Sequence, residues 1–149
     1  MKEKTDLINF CISLLETKIS EQKQQIRLIQ ESANNETKSS AGDKYETARA
    51  MAQIEMDKYQ RQIWEHEKTK QLLINISQFS NFDKVRNGAL VTCSNVFILI
   101  AGSMGEIFFE NNKYLVVSAE SPLAKKMLDL KVGDHFDFLN NQVQILALN

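Results

Sequence analysis

Residues 8–33, INFCISLLETKISEQKQQIRLIQESA, decide how this chain folds. Ile8, Ile12, Leu15, Ile19, Gln22, Ile26, Ile29 and Ala33 follow one another in steps of four and three. That is the a/d spacing of a coiled-coil seam, with one polar interruption at Gln22. Glu, Lys, Gln and Ser fill the faces between them. A helix with so narrow an apolar stripe cannot bury it alone, so the pattern demands a partner helix.

The partner lies in the same chain. Tyr45, Ala48, Ala52, Met56, Tyr59, Ile63, His66, Lys70 and Leu73 again step by three and four, in a weaker seam that includes a histidine and a lysine. The polar stretch from Asn34 to Gly42 reads as the connecting loop, and a short loop between two long helices makes them antiparallel neighbours. Gly42 is the only glycine or proline before Gly88, which favours uninterrupted helices. The sequence therefore predicts an antiparallel coiled-coil hairpin over residues 1–78, with arms that reach roughly 40–50 Å at about 1.5 Å per residue.

From Gly88 the period changes. Ala89–Cys93, Val96–Ala101, Glu106–Glu110 and Lys113–Ser118 are short runs rich in Val, Ile, Leu and Phe, with Asn111-Asn112 as a hairpin turn. Ser121-Pro122-Leu123 opens a short helix, serine as N-cap and proline at N1, whose Leu123, Ala124, Met127 and Leu128 share a face. Lys131-Val132-Gly133-Asp134 is a turn, and Phe136–Leu139 and Gln142–Leu148 close a hairpin around Asn140-Asn141. The expected class is α+β: the helical hairpin, then an antiparallel sheet domain with one helix over residues 79–149. Phe79 and Phe82 are expected to pack the hairpin base against the sheet.

Bulk properties exclude several functions. Net charge is −1, and it does not separate the halves: residues 1–78 carry 12 basic and 12 acidic side chains, residues 79–149 carry 6 and 7. Nothing in that balance favours nucleic acid or an acidic membrane as a general partner. Cys11 and Cys93 are far apart and form no CxxC, which reads as two buried thiols in a reducing cytosol. No run approaches the ~18 apolar residues that span a bilayer, and no cleavable leader is recognisable, so the expectation is a cytoplasmic protein. There is no GxSxG, P-loop or HExxH, and His66 and His135 have no companion at ligand spacing. A Cys93–His135 nucleophile pair would require the two to converge in the fold.

One constellation has the position and residue types for chemistry. Gly42-Asp43-Lys44-Tyr45-Glu46-Thr47-Ala48 opens the second helix at the free end of the hairpin, and Asp43 and Glu46, three apart, point the same way. Asp-x-x-Glu is also a capping box, and acids suit a helix N-terminus. The same pair can instead donate oxygens to a Mg²⁺ ion whose remaining ligands belong to another molecule, because Mg²⁺ takes six oxygens and is commonly shared with phosphates.

Gly-Asp-x-x-Glu-x-Ala at Gly42, Asp43, Glu46 and Ala48, followed by Val-Ser-x-x-Ser-Pro-Leu-Ala-x-x-x-Leu-x-x-Lys-Val-Gly-Asp over Val117 to Asp134, resembles the bacterial Gre transcript-cleavage factors. The match runs over nearly the whole chain in order and spacing. The resemblance implies an FKBP-like C-terminal domain that docks on the rim helices of the β′ subunit of RNA polymerase, through the loop at Ser121, Pro122 and Leu123. It implies that the coiled coil enters the secondary channel as a monomer, and that Asp43 and Glu46 help hold the second active-site Mg²⁺. Backtracked RNA is then cut near its 3′ end by the polymerase, with the factor an accessory rather than an enzyme. The family tip usually continues with Asn-Ala, an acid and a tyrosine, where this chain has Thr47, Arg49 and Ala50. Alternatives are a polymerase-binding relative that regulates without cleavage, a coiled-coil oligomerisation scaffold, and a prolyl isomerase suggested by the FKBP-like fold alone.

Overall fold

The computed structural model describes residues 2–36 and 42–149, without the side chains of Lys2, Glu36 and Asp43. Residues 37–41 of the expected loop lie outside the described residues. Two long helices, α1 (Lys2–Glu36) and α2 (Asp43–Ile76), precede six strands and one short helix. The strands are β1 (Leu90–Cys93), β2 (Phe97–Ala101), β3 (Gly105–Phe109), β4 (Asn112–Ser118), β5 (His135–Phe138) and β6 (Asn141–Leu148), with α3 (Pro122–Met127) between β4 and β5. The class is α+β. The chain forms two compact units, Ser13–Lys68 and a second made of the residues up to Ile12 together with Thr69–Asn149.

In the helical unit the two helices run antiparallel. Gln22 Nε2 donates to Gln62 Oε1 at 2.8 Å, and at the loop end Ile29 and Ala33 share a hollow with Ala48 and Ala52. As numbers rise on α1 they fall on α2. Ile19, Ile26 and Ile63 form the buried seam, with Met56 and Tyr59 packed against it. Toward the loop the seam turns to alanine, and Ile29, Ala33, Ala48 and Ala52 are only half-buried. Alanine offers little surface to bury, so this end of the pair is thin.

The sheet unit is a six-stranded sheet of order β3-β4-β2-β1-β6-β5. It is mixed rather than antiparallel as expected, because β2 and β4 pair in parallel, Phe97 opposite Tyr114 through Ala101 opposite Ser118. The reason is local. After β2 the chain skips one strand width, about 5 Å, runs back as β3, and β4 returns between β3 and β2. The hairpin turns also shift by one residue from the expected Asn-Asn centres. Phe109 pairs with Asn112 and Phe138 with Asn141. This leaves Glu110-Asn111 and Leu139-Asn140 at the centres, with φ of +46°, +66°, +50° and +63°. Both φ values positive is the signature of a type I′ turn. Ile107 opposite Tyr114 in the first hairpin and Phe136 opposite Val143 in the second must stay buried, and that burial fixes each register even though glutamate and leucine are poor left-handed residues.

One sheet face is covered by α3, where Ala124 and Met127 pack with Val91, Ile98, Ile100, Val143 and Ile145. Ser121 caps α3 as expected, its Oγ accepting from the Ala124 amide at 3.1 Å, with Pro122 following. The first turns of α1 and the last of α2 belong to this unit too. Phe10 stacks on Phe109 at 5.1 Å, the Tyr114 hydroxyl donates to Glu3 Oε1 at 2.7 Å, and the α-carbon of Gly102 faces the Thr69 side chain. Hence Leu7 and Cys11, which the seam spacing leaves out, are fully buried along with Ile8. Phe82 packs against the core, but Phe79 is 54% exposed, so only one of the two expected anchors serves. Lys4 is 4% exposed and does serve as an anchor. Its Nζ donates to the carbonyls of Phe79 (2.9 Å) and Asn149 (3.2 Å) and lies 4.6 Å from the centre of the Phe82 ring. Among the described residues no helix is long and apolar enough to cross a membrane.

Candidate functional site

The start of α2 is built around Gly42, whose φ of +84° places it in the left-handed region that glycine adopts without strain. Its carbonyl accepts from the amides of Tyr45 (3.1 Å) and Glu46 (3.4 Å). Gly42 is thus the residue from which the helix is launched, and Asp43 is the first helical residue. The Glu46 amide is engaged by Gly42. The Asp43 side chain, the other half of the expected capping box, lies outside the described residues.

Asp43, Glu46 and Arg49 follow at intervals of three on this helix, so each is displaced by about 60° from the last around the axis. Glu46 is exposed, and its carboxylate takes no hydrogen bond or ion pair among the described residues. Arg49 stands three positions on, where an ion pair with Glu46 would be ordinary. Its Nη1 instead donates to the hydroxyl of Tyr45 at 2.8 Å. Tyr45 is half-buried, so its hydroxyl is an acceptor with a partly fixed position. Lys44, Thr47, Ala48 and Met51 line a shallow hollow on another side of the helix. A larger groove of about 570 Å³ continues along Ile29, Ala33, Ala52 and Ile54. Met51 and Ile54 are 66% and 68% exposed beside it.

The second predicted site is the segment before α3. Here the three residues have separate roles: the Ser121 hydroxyl is spent on the helix cap, Leu123 packs against the core, and Pro122 is exposed. The Lys131–Asp134 motif is a turn in which Asp134 Oδ2 accepts from the Lys131 amide at 2.7 Å and Gly133 takes φ +96°. This geometry accounts for its glycine and aspartate without any ligand.

Other candidate nucleophiles and ligands are differently placed. Burial pushes both thiols, Cys11 and Cys93, up to about 11, which disfavours the thiolate at neutral pH. Cys93 sits in the sheet core, whereas His135 is exposed at the start of β5, so the two do not form a nucleophile pair. His66 is held below the usual imidazole range, mainly by burial and then by the neighbouring Lys18 charge. The Tyr45–Arg49 contact was legible in principle from the four-residue spacing. The competing Glu46–Arg49 spacing is equally good on paper, and only the side-chain geometry separates them. No protein-family model matches the chain, and no curated protein is significantly similar to it.

Proposed function

We propose that this chain is a secondary-channel factor of bacterial RNA polymerase, of the Gre kind, that stimulates hydrolysis of backtracked RNA. The observation that carries the reading is the exposed carboxylate of Glu46 on the first turn of α2, three residues from Asp43 and without a partner among the described residues, Arg49 included. In this reading the sheet unit is FKBP-like and docks on the β′ rim helices through the Ser121, Pro122 and Leu123 segment. Exposed Pro122 is the group there available to a partner.

The donor set fits Mg²⁺, which prefers carboxylate oxygens and needs six in all. Asp43 and Glu46 supply part of that shell, with the polymerase, water and RNA phosphate supplying the rest. When bound, the ion polarises the attacking water and the scissile phosphate. This chain's own contribution is to bring two acids on one stiff helical turn, launched from Gly42, to a position that the polymerase leaves incomplete. Among the described residues Glu46 has no partner, so no ion pair with them has to break before it can act.

The test is RNA shortening in a stalled, backtracked elongation complex with Mg²⁺. Addition of the chain should shorten the RNA at its 3′ end. Asp43→Asn and Glu46→Gln should each lower the saturating rate by about 10- to 100-fold, the range seen when metal-site groups are altered. The concentration of factor that gives half the effect should not move. A wild-type chain that binds polymerase without shortening the RNA would make this a regulatory binder instead. Normal stimulation by both variants would end the metal role.

A further inference from the structure

We infer that the helix pair associates with a second copy of itself, side by side with the two Gly42 ends together, through the groove between α1 and α2 and the α2 stripe that borders it. The inference does not rest on the cleavage reading, because Glu46 is five residues from Met51 and about 140° away around the helix. Met51, Ile54, Glu55 and Lys58 fall at i, i+3, i+4 and i+7, so α2 carries a second stripe next to its seam with α1. All four are exposed, and all four line the groove of about 570 Å³. Ala33, Ala48 and Ala52 line it too, and their small side chains leave a hollow between the helices. On α1, Leu28 is 47% exposed one turn before Ser32, which also lines the groove, and it widens the apolar patch. Contiguous exposed apolar surface of this kind marks an interaction site.

The contents of the patch say which partner fits. A two-fold interface is self-complementary, so each surface must hold both halves of every contact. This one holds projecting apolar side chains, Met51 and Ile54, beside a hollow edged by alanines, and an acid, Glu55, beside a base, Lys58. Neither charge has an ion pair among the described residues. A net charge of −1 leaves little long-range repulsion between copies. The direction of the axis follows from the spacing. If the two α2 helices ran antiparallel, a register that set Glu55 opposite the partner's Lys58 would carry Met51 to the partner's Gln62, away from the hollow. A register that seated Met51 between the partner's Ala48 and the partner's Ala52 would separate the charges. With the two α2 helices parallel, every residue faces its own level. Met51 then meets the hollow, and Glu55 and the partner's Lys58 are about 4.5 Å apart along the axis, within reach of each other. Dilution returns the single chain that the proposed function requires.

The experiment is sedimentation equilibrium on the full chain from about 1 μM to about 1 mM, the range of dissociation constants open to a small interface. The mass should rise from one chain toward two. Ile54→Glu should hold it at one chain throughout, with the far-UV dichroism of wild type, since Ile54 is exposed. Glu55→Lys and Lys58→Glu should each weaken self-association about tenfold, because both charge contacts turn repulsive. An equimolar mixture of these two variants should recover it, because each contact then joins an acid to a base. Met51→Cys and Lys58→Cys should each give an oxidised dimer, and Cys11 and Cys93 are buried and do not compete. Positions seven apart can both meet their own copies only across a parallel axis. A mass that stays at one chain, a dimer that Ile54→Glu leaves intact, or a mixture that associates no better than its components would overturn the inference. A disulfide link from only one of the two cysteine variants would overturn the parallel axis.

Discussion

Replacing Lys4 by methionine should remove a rise in stability that the wild-type sheet unit shows between pH 8 and pH 9. Lys4 is 4% exposed, with its ammonium between two backbone carbonyls and the Phe82 ring. Burial lowers its pKa from 10.5 to about 8. Below pH 8 the folded and unfolded chains are both protonated there, and the folded state bears the full cost of a buried charge. Between pH 8 and 10.5 the unfolded chain holds a proton that the folded one has released, so stability climbs with pH. At 1.36 kcal/mol per pKa unit the whole effect is about 3 kcal/mol, of which about 1 kcal/mol arrives between pH 8 and 9. The buried thiols act in the opposite sense. Cys11 and Cys93 move from 9.0 up to about 11, so their contribution is complete below pH 9 and is lost as pH rises toward 11. Tyr114, raised from 10.0 to about 12 by burial and then by its bond to Glu3, adds a further loss above pH 10. Between pH 8 and 9 the two thiols together lose about 0.7 kcal/mol, so the wild-type curve should rise by about 0.3 kcal/mol there and peak near pH 9. Urea unfolding at half-unit steps from pH 7 to 10.5, followed through the methyl resonances of Ile98 and Ile100, measures this directly. Lys4→Met should lose about 0.7 kcal/mol between pH 8 and 9 and should fall more steeply than the wild type from there to pH 10.5, because the Lys4 gain is absent throughout. A variant whose stability runs parallel to the wild type's from pH 8 to 10 would refute the assignment. The absolute stability of the variant does not enter, because the slope alone reports the proton.

Gly102→Ala should destabilise the sheet unit by about 1–3 kcal/mol by overpacking, because the new Cβ would overlap Thr69 Cγ2. Adding Thr69→Ser, which deletes that methyl, should restore most of the loss in the same urea assay. Leu139→Asn should stabilise by about 0.5–1 kcal/mol, since leucine at φ +50° is strained and its 77% exposed side chain contributes little packing. A decrease in thermal midpoint would show that Leu139 packs more than its exposure implies. Ser121→Ala should cost about 1 kcal/mol through loss of the α3 cap.

The helices were legible because their apolar residues recur with a period that only a helix pair satisfies, and Ile19, Ile26 and Ile63 are buried where the spacing puts them. Spacing reports a single partner face, however. It could not show that the first turns of α1 are also covered by a sheet, which is why Leu7, Cys11 and Lys4 fell outside the expected seam. The strands were legible from β-branched and aromatic runs, yet their order was not. A parallel β2–β4 pair leaves no mark on either strand, because Ile98 and Leu115 read alike whichever way their neighbour runs. The turns show the same limit at finer scale. Asn111 and Asn140 do occupy left-handed positions, but the residues before them do so as well, because the register is set by buried side chains some distance from the turn.

The proposed site was half legible for a comparable reason. Three-residue spacing put Asp43 and Glu46 on one side of a helix without reference to anything else in the chain. What Arg49 does there depends on a competition between two neighbours of nearly equal reach, Glu46 three residues back and Tyr45 four back. A surface ion pair contributes about 0–1 kcal/mol and an exposed hydrogen bond no more than that, so spacing cannot rank them. The half-buried position of Tyr45 offers a reason for the outcome. A half-buried ring has less freedom left to lose than an exposed carboxylate, so the guanidinium that joins Tyr45 orders less than one that joins Glu46.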